Sequence, residues 1–179
     1  MAWLDARTWG STEEERALPF ACDRYLDAPD DALFRAVSVA APAAVLFRWL
    51  CQLRIAPYSY DWIDNFGRRS PRQLTPGVDE LRVGQPAMTI FELVEFERPR
   101  HLTLRTRPSR IIGQYTVTYA AVARGEQRCR LVVKLLIAWP RHALSYPIRR
   151  LGPLADLIMM RKQLLTLKCL AERDATMAT

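Results

Sequence analysis

Between Met88 and Trp139 the chain alternates. Leu131, Val133, Leu135, Ile137 and Trp139 fall on one parity, against Arg130, Val132, Lys134 and Leu136 on the other. Tyr115, Val117, Tyr119 and Ala121 oppose Gln114, Thr116 and Thr118, and Leu102 and Leu104 oppose Thr103 and Arg105. A period of two is the period of a strand, whose successive side chains point to opposite faces. Strands are predicted at Met88–Glu97, His101–Arg107, Gly113–Ala123 and Arg128–Trp139. The turns between them (Arg98-Pro99-Arg100, Pro108-Ser109-Arg110, Arg124-Gly125-Glu126) are too short for a crossover, so neighbouring strands run antiparallel. In the first strand Phe91 and Leu93 conflict in parity with Val94 and Phe96; one extra residue, a β-bulge, reconciles them.

The flanking segments carry other patterns. Leu33–Ala40 reads as a strand, and Pro42 opens a helix whose stripe is Val45, Leu46, Trp49, Leu50 and Leu53. Ser59 is placed to cap a short second helix over 59–66, ended by Gly67. The proline- and glycine-rich stretch 67–86 reads as turns, with one short strand through Val78–Val83. From Leu151 to Arg173 the period becomes that of a helix. Gly152 and Pro153 mark its start, and Leu154, Leu157, Ile158, Arg161, Leu164, Leu165 and Lys168 share one side. The predicted fold is α+β: a curved antiparallel sheet wrapped around a long C-terminal helix, with two short helices closing one end. Where such a sheet does not pack fully on its helix, an elongated cavity results. Residues 1–32 read as an N-terminal extension packed on a single domain at 33–179. Thr12 and Glu13–Glu15 form a helix start there, and Trp3, Leu4, Trp9, Leu18, Phe20 and Tyr25 are too apolar for a free tail.

Composition narrows the function. At 179 residues, with hydrophobic residues at 50% and charged residues at 25%, the chain can bury one substantial core. A net charge of +7 permits anionic partners, but there is no long basic tail and no recognition helix, so no nucleic-acid partner is expected. Cys22, Cys51, Cys129 and Cys169 have neither metal-ligand nor disulfide-framework spacing. No metal, no cofactor and a reduced, cytoplasmic setting are expected. The start, MAWLDARTWG, lacks the basic-then-apolar order of a signal peptide.

Candidate chemistry is sparse. His101 and His142 sit in or near turns, with no nucleophile beside them, and no phosphate loop or nucleophile elbow is present. Asp61 is the strongest acid candidate: either it pairs with Arg54 or Arg68, or it is a cavity acid whose pKa burial raises. Asp64, one turn on, faces roughly the same way, and Glu92 is a weaker alternative. Trp49, Tyr58, Tyr60 and Trp62 cluster around the short helices, as core or as aromatic pocket lining, with Phe91, Tyr115 and Tyr119 on the strands. Arg161, inside the apolar arc of the long helix, must meet an internal carboxylate or a ligand anion. Lys168 lies below it and can snorkel. The basic, aromatic set Trp139, Arg141, Tyr146, Ile148, Arg149 and Arg150 allows contact with an anionic membrane surface.

The chain also resembles a known superfamily over nearly its whole length. Trp9-Gly10-Ser11-Thr12 with Glu14-Glu15, Leu18-Pro19 and Asp23 is one recurring piece. Trp49-Leu50-Cys51-Gln52 with Tyr58-Ser59-Tyr60-Asp61-Trp62-Ile63-Asp64-Asn65 is another. Met159-Met160-Arg161-Lys162-Gln163-Leu164-Leu165 with Lys168 and Ala171-Glu172 is the third. Together these resemble bacterial proteins of the SRPBCC superfamily, also called START or birch-pollen-allergen-like. The chain departs from that pattern in the short link Leu53–Pro57, where a glycine-rich loop often stands, and in Thr166, where a small residue is often found. The resemblance implies a helix-grip fold and a pocket for a small hydrophobic ligand (lipid, isoprenoid or polyketide-like). It equally accommodates a polyketide cyclase or aromatase, for which Asp61, Tyr115, Tyr119 and Arg161 would be the acting groups.

Overall fold

A computed structural model describes residues 6–65, 67–141 and 145–177. In chain order the elements are α1 (Glu13–Arg16), β1 (Asp31–Val39), α2 (Ala43–Cys51), α3 (Asp61–Asp64), β2 (Pro86–Ala87), β3 (Phe91–Glu97), β4 (His101–Thr106), β5 (Gln114–Ala123), β6 (Cys129–Ala138) and α4 (Ser145–Met177). The strands form one antiparallel sheet in the order β1-β6-β5-β4-β3-β2. This curled sheet grips α4, as the alternation predicts. The bulge is present: the β3–β4 register shifts between Leu93 and Glu95.

The short elements differ from expectation. No strand passes through Val78–Val83. That stretch is held by turn hydrogen bonds, Val78 N–H to Thr75 O and Glu80 N–H to Gly77 O, although Val78 and Leu81 are buried. Burial alone imitates a strand there. The pairing falls instead to β2, against Phe91 and Glu92. The helix expected over 59–66 is the single turn α3; Tyr60 precedes it, no side chain caps it, and Phe66 lies outside the described residues.

The long helix is the largest correction. It starts at Ser145, not Leu151, so Gly152 and Pro153 lie inside it. Tyr146, Ile148, Arg149 and Arg150 of the basic, aromatic set are thus helical, while His142 lies outside the described residues. Gly152 has a packing role, because a Cβ there would come 2.3 Å from the Trp139 ring. That ring cannot yield easily. Trp139 is buried, its Nε1 donates to Asp31 Oδ2 at 2.6 Å, and its backbone N–H donates to Asp30 Oδ2. We expect Gly152→Ala to destabilise the protein by about 1–3 kcal/mol through overpacking; wild-type stability in a urea titration would contradict this contact. Buried Trp139 is also removed from any membrane-facing set.

The buried face of α4 differs too. Leu157, Met160, Leu164, Leu167, Leu170 and Ala171 are buried, whereas Leu154, Ile158, Arg161 and Leu165 are exposed. The helix is rotated by roughly a third of a turn from the expected face. The reason is charge. The expected stripe would bury Arg161 and Lys168, whereas the polar residues of the observed one are Gln163, bonded to Tyr119 and Pro57, and Asp156, paired with Arg35. Two full-length stripes exist, and desolvating two cations decides between them.

The N-terminal segment lies along the opposite edge and back of the sheet. Phe34 N–H donates to Arg7 O and Ala36 N–H to Trp9 O, so residues 7–9 cover the free edge of β1. Glu15, 1% exposed, completes a capping box with Thr12 and accepts two hydrogen bonds from Arg130, at 2.7 and 2.8 Å. Burial raises its carboxyl, but the Arg130 contacts and the Thr12 backbone outweigh this and hold it below the usual range. Phe20, Cys22 and Leu26 pack with Ala36, Val132 and Leu136 in a second, smaller cluster.

Candidate functional site

The strands, α3 and α4 leave a cavity of about 420 Å³ between them. Val117, Tyr115 and Tyr119 of β5, Leu135 of β6 and Phe91 of β3 form its sheet side. Met159, Met160, Gln163 and Asp156 of α4 face them, and Pro57, Ser59, Ile63, Asp64 and the Met88–Ile90 turn close it. Alternation places the strand residues: β5 offers Tyr115, Val117 and Tyr119 on one face because they are two apart. The spacing 156, 159, 160, 163 does the same on α4.

At one end the polar groups satisfy each other. Tyr119, 1% exposed, donates its hydroxyl to Gln163 Oε1 at 2.7 Å, and Gln163 Nε2 donates to Pro57 O at 2.6 Å. Burial, reinforced by the charge of Asp156, pushes the Tyr119 phenol far up, so it stays a neutral donor. Elsewhere the polar groups are less engaged. Asp156 Oδ2 accepts from Arg35 at 2.8 Å, and Oδ1 has no hydrogen bond among the described residues. Burial pushes the Asp156 carboxyl up to about 6, against the pull of Arg35. Arg35 itself is fully buried behind the cavity wall, donating also to the carbonyls of Ala6, Phe34 and Pro153. Asp64 Oδ1 is buried without a hydrogen bond, and burial raises its carboxyl, with the Ser59 hydroxyl pulling the other way. The Tyr115 phenol is raised by burial and by Asp156; its ring stands edge-on to Trp139 at 6.1 Å.

Of the expected site residues, Phe91, Tyr115 and Tyr119 meet at this cavity. The others do not line it. Trp49 is core, its Nε1 donating to Asp174 at 3.0 Å. Tyr58 is core too, edge-on to Trp49 and accepting from Gln52 Nε2 at 2.8 Å. Tyr60 only leads into α3, and Trp62 is 75% exposed. Asp61 accepts from the Ser70 backbone and hydroxyl, fastening the loop after α3. Glu92 pairs with Arg105 at 2.9 Å. Arg161 is exposed and stacks over the Trp9 ring at 5.7 Å, so the expectation of an interior guanidinium is wrong for this residue. The interior guanidinium is Arg35. An arginine within the apolar alternation of Leu33, Val37 and Val39 was the sequence signal for it. Asp156, Gln163 and the methionines carried none beyond helical spacing.

A larger groove of about 690 Å³ lies on the other face of the sheet, beside Phe20, Glu95, Glu97 and His101. Its charged groups are already paired: Glu95 with Arg24, Tyr25 and His101, and Glu97 with Arg100. The cavity under α4, with its mainly apolar lining, is the better site. Among the described residues no group of His, Cys, Asp or Glu side chains could hold a metal ion, and no helix is long and apolar enough to cross a membrane.

No protein-family model and no curated protein sequence matches the chain. Solved structures do. A protein from Chromobacterium violaceum aligns at 14% identity and a TM-score of 0.50, covering 79% of this chain and 96% of that one. An aromatase/cyclase from Streptomyces sp. R1128 aligns at 13% identity and a TM-score of 0.47, covering 81% and 93%. A START superfamily protein from Mycobacterium smegmatis aligns at 12% identity and a TM-score of 0.45, covering 83% and 99%. At such identities the likeness concerns the fold alone. The architecture is a helix-grip fold, a curled antiparallel sheet around a long C-terminal helix.

Proposed function

We propose that the protein binds a small, mainly apolar ligand in the cavity between α4 and the sheet. One observation carries this reading: a cavity of about 420 Å³ walled by Phe91, Val117, Leu135, Met159 and Met160, with only a few polar groups. That is the size and lining of a small-molecule site, for which the general range is about 300–1,000 Å³. Methionine-rich walls adapt to irregular ligand shapes. The SRPBCC-like fold is compatible with such a role.

The cyclase reading loses its constellation. Of Tyr115, Tyr119, Asp61 and Arg161, only the two tyrosines share the cavity. An enolisable chain would therefore meet no arginine there. Binding is tested with the neutral, environment-sensitive dye Nile red. Wild-type protein should bind it with a fluorescence increase. Met159→Trp, which fills the cavity with an indole, should weaken binding by at least about tenfold, with stability changed by about 1 kcal/mol or less. Undiminished dye binding by the filled variant would place the site elsewhere.

A further inference from the structure

The sign of the cavity is opposite to that of the protein. The chain as a whole carries +7. Yet no Lys or Arg is among the described residues lining the cavity, and Asp64 and Asp156 both are. Arg35, the cation paired with Asp156, has no exposed surface and lies behind it, donating to Asp156 Oδ2 and to three backbone carbonyls. It neutralises the wall from behind and cannot reach a ligand. Among the described residues, Asp156 Oδ1 and Asp64 Oδ1 remain as acceptors without a hydrogen bond.

These groups set what the polar end of a ligand can be. A carboxylate or phosphate entering this space would be desolvated beside two like charges and would find no cation. A donor, by contrast, completes an acceptor that the fold leaves open. Resting on the ligand-binding reading above, we propose that the cavity selects apolar ligands whose polar end is a non-anionic hydrogen-bond donor, a hydroxyl or an ammonium, received by Asp156, and that it excludes anionic lipids such as fatty-acid carboxylates. The Tyr119–Gln163–Pro57 chain supports this placement. Its donors and acceptors are already used on each other, so the polar end belongs near Asp156 and the apolar body against the methionines.

The test uses the whole chain at neutral pH and physiological salt, where attraction of anions to the basic surface is screened. Nile red is displaced by dodecanol, dodecylamine or dodecanoate, three ligands of one chain length. Dodecanol, dodecylamine or both should displace the dye with an apparent Kd at least about tenfold below that of dodecanoate. Tight binding of the alcohol identifies a hydroxyl as sufficient, and of the amine alone an ammonium. Asp156→Asn should narrow the gap by improving dodecanoate binding. Because that change disturbs the Arg35 contact, Asp64→Asn is measured alongside and should narrow the gap in the same direction. If dodecanoate displaces the dye as well as the others, the selectivity is overturned while ligand binding stands. If Nile red itself does not bind, ligand binding fails and the selectivity falls with it.

Discussion

Arg35→Met will lower the stability of the protein by about 3–5 kcal/mol at neutral pH, the usual effect of removing one partner from a buried ion pair. The guanidinium is fully buried and its carboxylate partner is mostly so, at 0% and 18% side-chain exposure. Without Arg35, Asp156 is left as an uncompensated charge, and three backbone carbonyls lose their donor. The pH dependence has a definite sign. Burial holds the folded-state pKa of Asp156 above the ordinary carboxyl value, at about 6. The folded state therefore holds this proton more tightly. The corresponding stability is fully present below the unfolded pKa and is lost as pH rises through the folded one. Loss of the Arg35 attraction moves the folded pKa higher still. The gap between wild type and variant should then shrink as pH falls from neutral into the mildly acidic range. The double variant Arg35→Met/Asp156→Leu should recover much of the loss, because it leaves no stranded charge. Urea titrations at several pH values read all of this. A single-variant cost below about 1 kcal/mol would show that the pair does not matter.

Leu164→Ala should cost about 2–5 kcal/mol, and Leu165→Ala about 1 kcal/mol or less. The two residues are adjacent in sequence and of one chemistry, but Leu164 has no exposed surface and Leu165 is 37% exposed. Leu164 packs in the main cluster with Leu167, Leu170 and Ala171. Their comparison measures the rotation of α4 directly. A larger loss at Leu165 would put the other stripe, and with it Arg161, against the sheet.

That rotation also shows where sequence reasoning stops. The sheet was legible because alternation is a local signal: β4, β5 and β6 lie within a residue or two of their predicted ends, and even the β3 bulge is visible as a parity conflict. The long helix was legible as a helix, but its buried face was not. Leu154, Ile158 and Leu165 compete with Met160, Leu167 and Leu170 on nearly equal terms, Leu157 and Leu164 belong to both stripes, and only the tertiary partner chooses. The candidate site shared that fate. Tyr115 and Tyr119 reach the cavity because strand parity fixes their face, whereas Phe91 reaches it from a strand whose parity the bulge breaks. Asp156 and Gln163 were missed because they lie on the face of α4 that periodicity alone did not favour. Trp49 and Tyr58 were misplaced for a different reason: an aromatic cluster has the same sequence whether it lines a void or fills a core.

The fastening at Arg35 joins parts of the chain that a gene map would treat as separable. Its guanidinium holds the carbonyl of Ala6 together with Pro153 and Asp156 of the helix. The segment at Ala6 is thereby mechanically continuous with the cavity wall at Asp156. Changes at Ala6 therefore bear on the placement of Arg35 and, through it, on the cavity wall at Asp156.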